Sequence, residues 1–505
     1  MTHADDKRGV LVAMILAAGT VFLNEAVVNV ALPAIARGLG ATLADLQWTV
    51  DAYTLTLAAL LILGGALGDR YGRRRLMLVG LVGYGVFSLA GGLAPSAGWL
   101  IAARTMQGMS GALLVPGSLA IIRAVYREPA ERGRAIGQWS GWSALPIVIG
   151  PLIGGWLVDT FSWRWAFFVI LPLNAAALWL VMTQVPAMHA RESEGRLDLG
   201  GAALAFLGLG GVAYALIEGP ALGWTHPQVL VAAAVGIFAL VGFPLLEARV
   251  DHPMVPLSLF HSSNFVGANL TTLGLYAALY GSTFFLVLYI QNVMGYSALV
   301  AGMMLAPPPL LLLVLSPVFG KLAGRHGPRV PMTVGPLVSA IGLLLLARLQ
   351  PDSSVAFELL PAITIFGLGL SATVAPLTDT VMASVSEHVS GTAAAFNNVV
   401  SRIAGLLAVA GLGVVVSLTF AGALAQETAP LDLQPGVQER LEEIRQNPTG
   451  QIDVAGLPQE VAAATQQAYT SAFRRAMLVS GALAIGGGLA AALMVRRIEG
   501  AGEGG

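Results

Sequence analysis

The sequence predicts an all-α integral membrane protein with fourteen transmembrane helices. Of its 505 residues, 56% are hydrophobic and 11% are charged, whereas a soluble domain carries about 25% charged residues. Fourteen apolar runs approach the length of about 20 residues that a spanning helix needs. The net charge of −1 argues against nucleic-acid binding, and the absence of cysteine excludes disulfides, thiolate metal sites and cysteine catalysis.

Each apolar run is bounded by charged residues or by proline and glycine. The runs lie near residues 10–33, 46–68, 76–95, 99–122, 137–158, 165–185, 199–217, 228–246, 266–290, 299–322, 331–347, 357–383, 393–420 and 475–495. The first run is too long for the core of a signal peptide and another span follows at once, so we expect it to be retained.

The distribution of lysine and arginine predicts the orientation, because short, positively charged loops stay in the cytoplasm. If the N-terminus is cytoplasmic, most of the 27 basic residues fall in cytoplasmic loops. An even number of spans then places both termini in the cytoplasm. We expect a multi-pass protein of a bacterial-type cell membrane.

The chain contains an internal repeat, as many transporters do. The segment GALGDRYGRRR begins at Gly65 and GKLAGRHGPR begins at Gly320, and they share the frame G-x-L-x-x-R-x-G at an offset of 255 residues. The first copy follows the second span and the other follows the tenth. If each copy follows the second span of its unit, the second unit runs from the ninth to the fourteenth span, and the repeating unit has six spans. We predict a six-helix bundle at 1–190, two inserted helices with linkers at 191–255, and a second bundle at 256–505 that includes an extracytoplasmic loop at 421–474.

Four segments of the chain resemble the major facilitator superfamily. They are GALGDRYGRRR (Gly65 to Arg75), RTMQGMSGA from Arg104, GPLIGG from Gly150 and WRWAFFVILPLN from Trp163. Together with the number of spans, they are similar to the drug:proton antiporter family with fourteen spans. One position departs from that pattern, since LNEAVVNVALP places Asn24 where family members usually have Asp.

The resemblance implies roles for two of these motifs. In the first loop it implies a conformational latch, in which Asp69 and Arg73 join two helices; the latch motif comprises Gly65, Asp69, Arg70, Gly72 and Arg73. A loop that only fixes topology is the alternative, and Gly324 replaces Asp69 in the second copy. In the fifth span it implies an antiporter motif found in exporters, formed by Gly150, Pro151, Gly154 and Gly155. A simple packing kink is the alternative.

Ionisable residues within spans are costly in hydrocarbon and mark a pathway or proton relay by default. Glu25, Asp51 and Arg104 are expected at similar depths in the first bundle. We predict that they couple transport to protons, with Arg104 setting the proton affinity of the acid; a static buried ion pair is the alternative. Asp379 and Arg402 lie at similar distances from Gly391 on a predicted hairpin, so we expect a structural ion pair, with a gating role as the alternative.

All seven histidines lie outside the predicted spans, which argues against a histidine relay or an intramembrane metal site. No constellation of serine or carboxylate residues suggests a hydrolase. We therefore expect a secondary transporter that is driven by a proton gradient, with no cofactor and no enzymatic activity.

Polar and aromatic side chains within the spans are candidates for a substrate cavity. We select Asn29, Tyr53, Gln107, Trp142, Tyr280, Phe284, Asn397 and Asn398. Aromatic faces with one or two acids suit amphipathic or cationic molecules. We therefore predict a monomeric, proton-coupled multidrug exporter that works by alternating access. A dedicated exporter of one metabolite or lipid, and a non-transporting membrane sensor, are the alternatives.

Overall fold

The computed structural model describes residues 3–186, 198–250, 253–386, 389–431, 433–446 and 457–496. In this part of the chain, fourteen helices are long and apolar enough to cross a membrane, which confirms the predicted fold class. The first eight are α1 (His3–Leu39), α2 (Leu43–Tyr71), α3 (Arg73–Gly92), α4 (Ala97–Val125), α5 (Pro129–Thr160), α6 (Trp165–Gln184), α7 (Leu199–Leu222) and α8 (Pro227–Glu247). The others are α9 (Ser263–Asn292), α10 (Ala298–His326), α11 (Arg329–Leu346), α12 (Val355–Ala383), α13 (Ser390–Thr428) and α14 (Gln459–Met494).

Local signals explain where several helices begin. Thr42 precedes α2, and its hydroxyl accepts a hydrogen bond from the Asp45 backbone amide while the Asp45 carboxylate accepts one from the Thr42 amide. Ser96 caps α4 with its hydroxyl alone, which accepts a hydrogen bond from the backbone amide of Trp99. Such caps satisfy amides that have no partner within the helix. The chain therefore specifies these helix starts locally, before any packing between helices.

The turns that follow α2 and α10 support the internal repeat. Gly72 and Gly327, which are 255 residues apart, have φ angles of 96° and 90°. Residues other than glycine rarely adopt such positive φ angles, because their Cβ atom clashes with the backbone there. The same glycine-dependent turn is thus present in both halves of the chain.

A pair of equivalent arginines also supports the repeat. Arg74 on α3 donates a hydrogen bond to the carbonyl of Met182 near the end of α6, at 2.7 Å. Arg329 on α11 donates to the carbonyl of Ala492 near the end of α14, at 2.6 and 3.0 Å. A cation at a helix C-terminus is favourable because the last carbonyls carry partial negative charge.

The first six helices pack mainly on one another, and so do α9 to α14. We call the end of the molecule at which α1 begins the N-terminal end, and the other the distal end. The two groups meet along two seams, where α2 faces α13 and α5 faces α10. Gln47 donates to the carbonyl of Val409 across the first seam, at 2.6 Å, near the distal end.

The inserted helices α7 and α8 pack against each other, and α7 lies over the seam between α2 and α13. Leu209 and Ala213 of α7 form a buried apolar cluster with Leu55 of α2 and Leu406 of α13. The Trp48 indole on α2 also donates to a carboxylate on α7, at 2.8 Å. The insertion therefore covers this seam.

The polar segment predicted as a loop at 421–474 is shorter than expected. Helix α13 continues to Thr428, α14 already begins at Gln459, and a short helix spans Pro435–Gln446. The ends of α13 and α14 extend the apolar core of the distal end, where Tyr289 stacks on Phe473 with their ring centroids 4.2 Å apart. Polar residues on the exposed faces of these two helix ends lower the mean hydropathy of the segment, so the hydropathy average does not reveal its apolar side.

Candidate functional site

A cavity of about 310 Å³ lies between the two groups of helices. Its lining is mostly apolar and comes from α1, α2, α4 and α5 on one side and from α9 to α13 on the other. The charged side chains in its lining are Glu25, Asp51, Arg104 and Arg402. Three of these are the residues that the sequence predicted for proton coupling, and the structure brings them to one cavity.

Arg104 is 2% exposed and is surrounded by neutral groups. Its Nε donates to the carbonyl of Thr49 at 2.9 Å, and its Nη1 donates to the side-chain oxygens of Gln107, at 2.7 Å, and Asn24. The guanidinium carbon lies 4.0 Å from the centre of the Tyr53 ring. No carboxylate of the described residues forms an ion pair with Arg104. These partners satisfy its donors without neutralising its charge.

Glu25 forms its ion pair with Arg402, from the opposite group of helices. The pair joins α1 to α13 across the cavity, and the exposed fractions of the two side chains are 20% and 8%. Arg104 makes no ion pair with Glu25 among the described residues, and whether Arg104 sets the proton affinity of the acid stays a prediction. Arg402 is the cation that contacts Glu25.

The expected ion pair between Asp379 and Arg402 is wrong. Asp379 is exposed and lies four residues before the end of α12 at Ala383, which is about 6 Å along the helix axis. Arg402 lies twelve residues after Ser390, where α13 begins, or about 18 Å along that axis. The prediction measured both distances from Gly391, but the helices end and begin at different distances from this glycine.

Asp51 differs from the other charged residues of the cavity because it has no hydrogen-bond partner in the described part of the chain. It is fully buried, and neither carboxyl oxygen accepts or donates a hydrogen bond among the described residues. Transferring an ionised carboxylate from water to such a place costs several kcal/mol unless a proton or a cation accompanies it. Asp51 is thus the acid of the cavity whose carboxyl group no described residue hydrogen-bonds.

The structure places half of the predicted substrate residues in the cavity. Those in the lining are Asn29, Tyr53, Tyr280 and Phe284. Gln107, Trp142, Asn397 and Asn398 lie elsewhere. Gln107 lies behind the lining and holds Arg104, and Asn397 donates to two side chains of its neighbour α9, at 2.7 and 3.0 Å. Trp142 is 61% exposed and lines a separate cleft.

Glycines of the predicted antiporter motif allow α5 to lie very close to its neighbours. A Cβ atom on Gly150 would lie 2.6 Å from Ala26 of α1, and one on Gly154 would lie 2.9 Å from Val27. A Cβ on Gly155 would lie 2.5 Å from the backbone of α10 at Ala298. Pro151 takes part as well, because its carbonyl lies 2.3 Å from where a Cβ on α10 would be. The motif therefore packs α5 against both α1 and α10.

Asp159 extends this contact at the distal end, and sequence reasoning missed it. Its two carboxylate oxygens accept hydrogen bonds from the backbone amides of Ala298 and Leu299, at 3.0 and 2.8 Å. An anion at a helix start is favourable because the first amides carry partial positive charge. One signal in the sequence could have indicated this contact. Asp159 is an acidic residue at the very end of a span, just before Phe161.

We expect Gly155→Val to destabilise the protein by about 2 kcal/mol, because the added side chain collides with the backbone of α10. Thermal unfolding of the purified protein in detergent measures this change. Gly98→Val is the matched control, because a Cβ on Gly98 would meet nothing within 4 Å. Equal stability of the two variants would contradict the close packing of α5 and α10.

The predicted latch residues form an ion pair at the N-terminal end. Arg73 at the start of α3 donates to the carboxylate of Asp69 on α2, at 2.7 and 2.8 Å. Arg73 also donates to the carbonyl of Ala120 on α4, at 2.7 Å, so that three helices meet at one guanidinium. Whether this pair opens during a working cycle stays a prediction.

Comparisons with known proteins agree with this geometry. The model of the Major Facilitator Superfamily matches residues 14–409. The chain is 36% identical to the puromycin resistance protein pur8 of Streptomyces alboniger, over 83% of this chain and 84% of that protein. It is 35% identical to the multidrug resistance protein Stp of Mycobacterium tuberculosis, over 81% and 75%, and 33% identical to a methylenomycin A resistance protein of Bacillus subtilis, over 82% and 90%.

Among solved structures, the fold is similar to that of a bacterial homologue of the human lysosomal transporter Spinster in an inward-facing, unoccupied conformation. The TM-score is 0.68 at 19% sequence identity, and the match covers 97% of this chain and 98% of that one. The expectation of a transporter rather than an enzyme is confirmed. Because the family model covers most of a fourteen-span chain, and the three relatives are at least 33% identical over 81% or more of it, the protein belongs to the Major Facilitator Superfamily.

Proposed function

We propose that this protein is a proton-coupled antiporter that exports small amphipathic or cationic compounds from a bacterial-type cell. Relatives named for resistance to puromycin, to methylenomycin A and to several drugs support export of toxic small molecules. The close packing of α5 through its glycine motif supports the exporter class that the sequence resembles.

The unpartnered, buried carboxyl of Asp51 carries the proposal. Glu25 and Arg402 neutralise each other, so Asp51 is the acid of the cavity that is left to bind a proton or a substrate cation. A proton on Asp51, or a monovalent cation beside its ionised form, leaves the same net charge in the cavity. Each therefore excludes the other, and this mutual exclusion is the requirement for antiport.

The lining of the cavity suits planar, apolar molecules. Tyr53, Tyr276, Tyr280, Phe284 and Phe366 contribute aromatic surface. Aromatic faces attract both apolar rings and cations. A volume of about 310 Å³ is at the lower end of the range for pockets that hold drug-sized ligands. These properties favour compounds with one or two rings and a single cationic or donor group.

The proposed orientation places both termini in the cytoplasm, because Lys7, Arg8, Arg70 and Arg73 lie at the N-terminal end. Packing of α5 on α10 and of Gln47 on Val409 then closes the external end. The conformation is inward-facing in this orientation. The two helix groups of one chain enclose the cavity from both sides, which supports a monomer as the proposed working unit.

Flux measurements in proteoliposomes test the function. We expect purified protein to move puromycin and lipophilic dye cations against their gradients when the proton gradient runs in the opposite direction. A protonophore should stop this movement. Dye movement at the same rate with and without the proton gradient would contradict proton coupling. Absence of movement for every compound in the panel would contradict multidrug export and favour a dedicated exporter of one metabolite or lipid.

A further inference from the structure

Two acidic side chains meet where the inserted hairpin returns to the N-terminal end. Asp198 is the residue before α7, and Glu247 is the last residue of α8. Glu247 is only 2% exposed although it lies at the end of a helix. Neither side chain lines the cavity between the two helix groups. The two acids therefore form a separate cluster from Glu25 and Asp51.

One oxygen of each carboxylate accepts a hydrogen bond from the backbone. Asp198 Oδ1 accepts from the amide of Gly201 at 2.7 Å and so caps the start of α7. Glu247 Oε2 accepts from the amide of Val255 at 2.9 Å. Val255 is 4% exposed and belongs to the segment that joins α8 to α9. Glu247 thus ties the inserted hairpin to the segment that leads into the second helix group.

The other oxygen of each carboxylate points to one common place. A Cβ atom on Gly201 would lie 2.5 Å from Asp198 Oδ2 and 2.7 Å from Glu247 Oε1. Both oxygens are buried, and neither has a hydrogen-bond partner in the described part of the chain. Because Gly201 has no side chain, it places nothing between them. Two buried acceptors therefore face each other without a donor.

No cation of the described residues neutralises the two acids. Arg249, just after α8, is exposed and forms no ion pair with either acid. On α2, which packs on α7, Asp69 pairs with Arg73, and Arg70 lies over a tyrosine ring at 5.8 Å. On α13, which also packs on α7, Arg402 pairs across the cavity. Two buried carboxylates without a cation repel each other, whereas one shared proton removes the repulsion and supplies the missing donor.

We propose that Asp198 and Glu247 bind one proton between them and form a proton-dependent clasp at the N-terminal end. With the proton bound, the protonated acid donates to the other carboxylate, and both backbone hydrogen bonds are kept. When the proton leaves for water, the two negative charges repel, and Glu247 turns toward solvent and releases the amide of Val255. In the proposed orientation, the clasp responds to the pH of the cytoplasm. It does not depend on which compound the protein transports.

Infrared spectroscopy of the full-length protein tests the shared proton, because a protonated carboxyl group has a C=O stretching band that a carboxylate lacks. Raising the pH from about 6 to about 9 should remove this band, since isolated acids are already ionised at about pH 6. Glu247→Gln and Asp198→Asn should each lack the change that the pair contributes. Asp45→Asn is the matched control, because Asp45 also accepts a backbone amide at a helix start and lies at the distal end. Identical spectral changes in the wild type and in both variants would overturn the shared proton.

Hydrogen exchange at the amide of Val255 tests the clasp itself. Pro253 and Pro256 have no amide hydrogen, so a short peptide from this segment reports on Met254 and Val255. In buffer without divalent cations, and after correction for the intrinsic effect of pH, we expect protection in the wild type to fall about tenfold between pH about 6 and about 9.

Variants of Glu247 separate the clasp from general loosening at high pH. Glu247→Gln should keep Val255 protected at every pH, because its amide nitrogen donates to Asp198 while its oxygen still accepts from Val255. Glu247→Ala should leave Val255 unprotected throughout this range. Protection that does not change with pH in the wild type, or that falls equally in Glu247→Gln, would overturn the clasp. Protection that added Mg²⁺ restores at high pH would assign the pair to a metal cation and overturn the shared proton.

Discussion

Asp51→Asn is expected to reduce export driven by the proton gradient by about a hundredfold, because an amide cannot release the proton that the cycle exchanges. The side chain keeps its shape, and Asp51 makes no hydrogen bond with any described residue that the amide would break. The fold should therefore persist, and so should the downhill movement of compounds that carry no charge. The measurement is flux in proteoliposomes with and without an imposed proton gradient.

Asp379→Asn is the matched control for this prediction. Asp379 is also an acid within a span, but it is exposed and does not line the cavity. Its replacement should leave gradient-driven export unchanged. If Asp51→Asn still exports against a substrate gradient at the original rate, then Asp51 does not carry the proton.

A double-mutant cycle on Glu25 and Arg402 is expected to give the second large effect. Glu25→Gln or Arg402→Gln alone leaves an unpaired charge inside the protein, which costs about 3 kcal/mol of folding free energy. Replacing both should cost less than either change alone, because no unpaired charge remains. Thermal unfolding in detergent measures all four proteins of the cycle.

The same four proteins distinguish two roles for Glu25, namely an ion-pair partner of Arg402 and a carrier of the exchanged proton. If Glu25 only neutralises Arg402, the double variant should recover export that each single variant loses. Loss of gradient-driven export in the double variant as well would assign proton coupling to Glu25. Glu131→Gln is the control, because the pair that Glu131 forms with Lys7 is about one third exposed and such surface pairs contribute about 1 kcal/mol or less.

The spans and the repeat could be predicted because their signals are local. A run of apolar residues identifies a span wherever it packs, and the turns at Gly72 and Gly327 each require a residue that tolerates positive φ. The acids and arginine of the first bundle could also be selected, because few ionisable residues lie within spans. The free-energy cost of an ionisable side chain in hydrocarbon makes such residues rare within spans, so they can be selected before their partners are known.

The partners themselves could not be predicted. Arg402 pairs with a residue 377 positions away in the sequence, on a helix of the other bundle. Spacing along one hairpin carries no information about such a contact. The same limit applies to Trp142. The amino-acid sequence does not show which face of α5 lines the separate cleft and which face lines the cavity.

The hydrogen bonds between Asp159 and the start of α10 have a consequence for how readily the distal end separates. Asp159 is exposed, so that water can replace both partners as the helices move apart. No polar group is then left buried and unsatisfied, and the bonds can form again at each return. The contact at this rim is therefore reversible at little cost, and we expect the larger barrier to movement deeper, where the side chains of Glu25 and Arg402 are only 20% and 8% exposed.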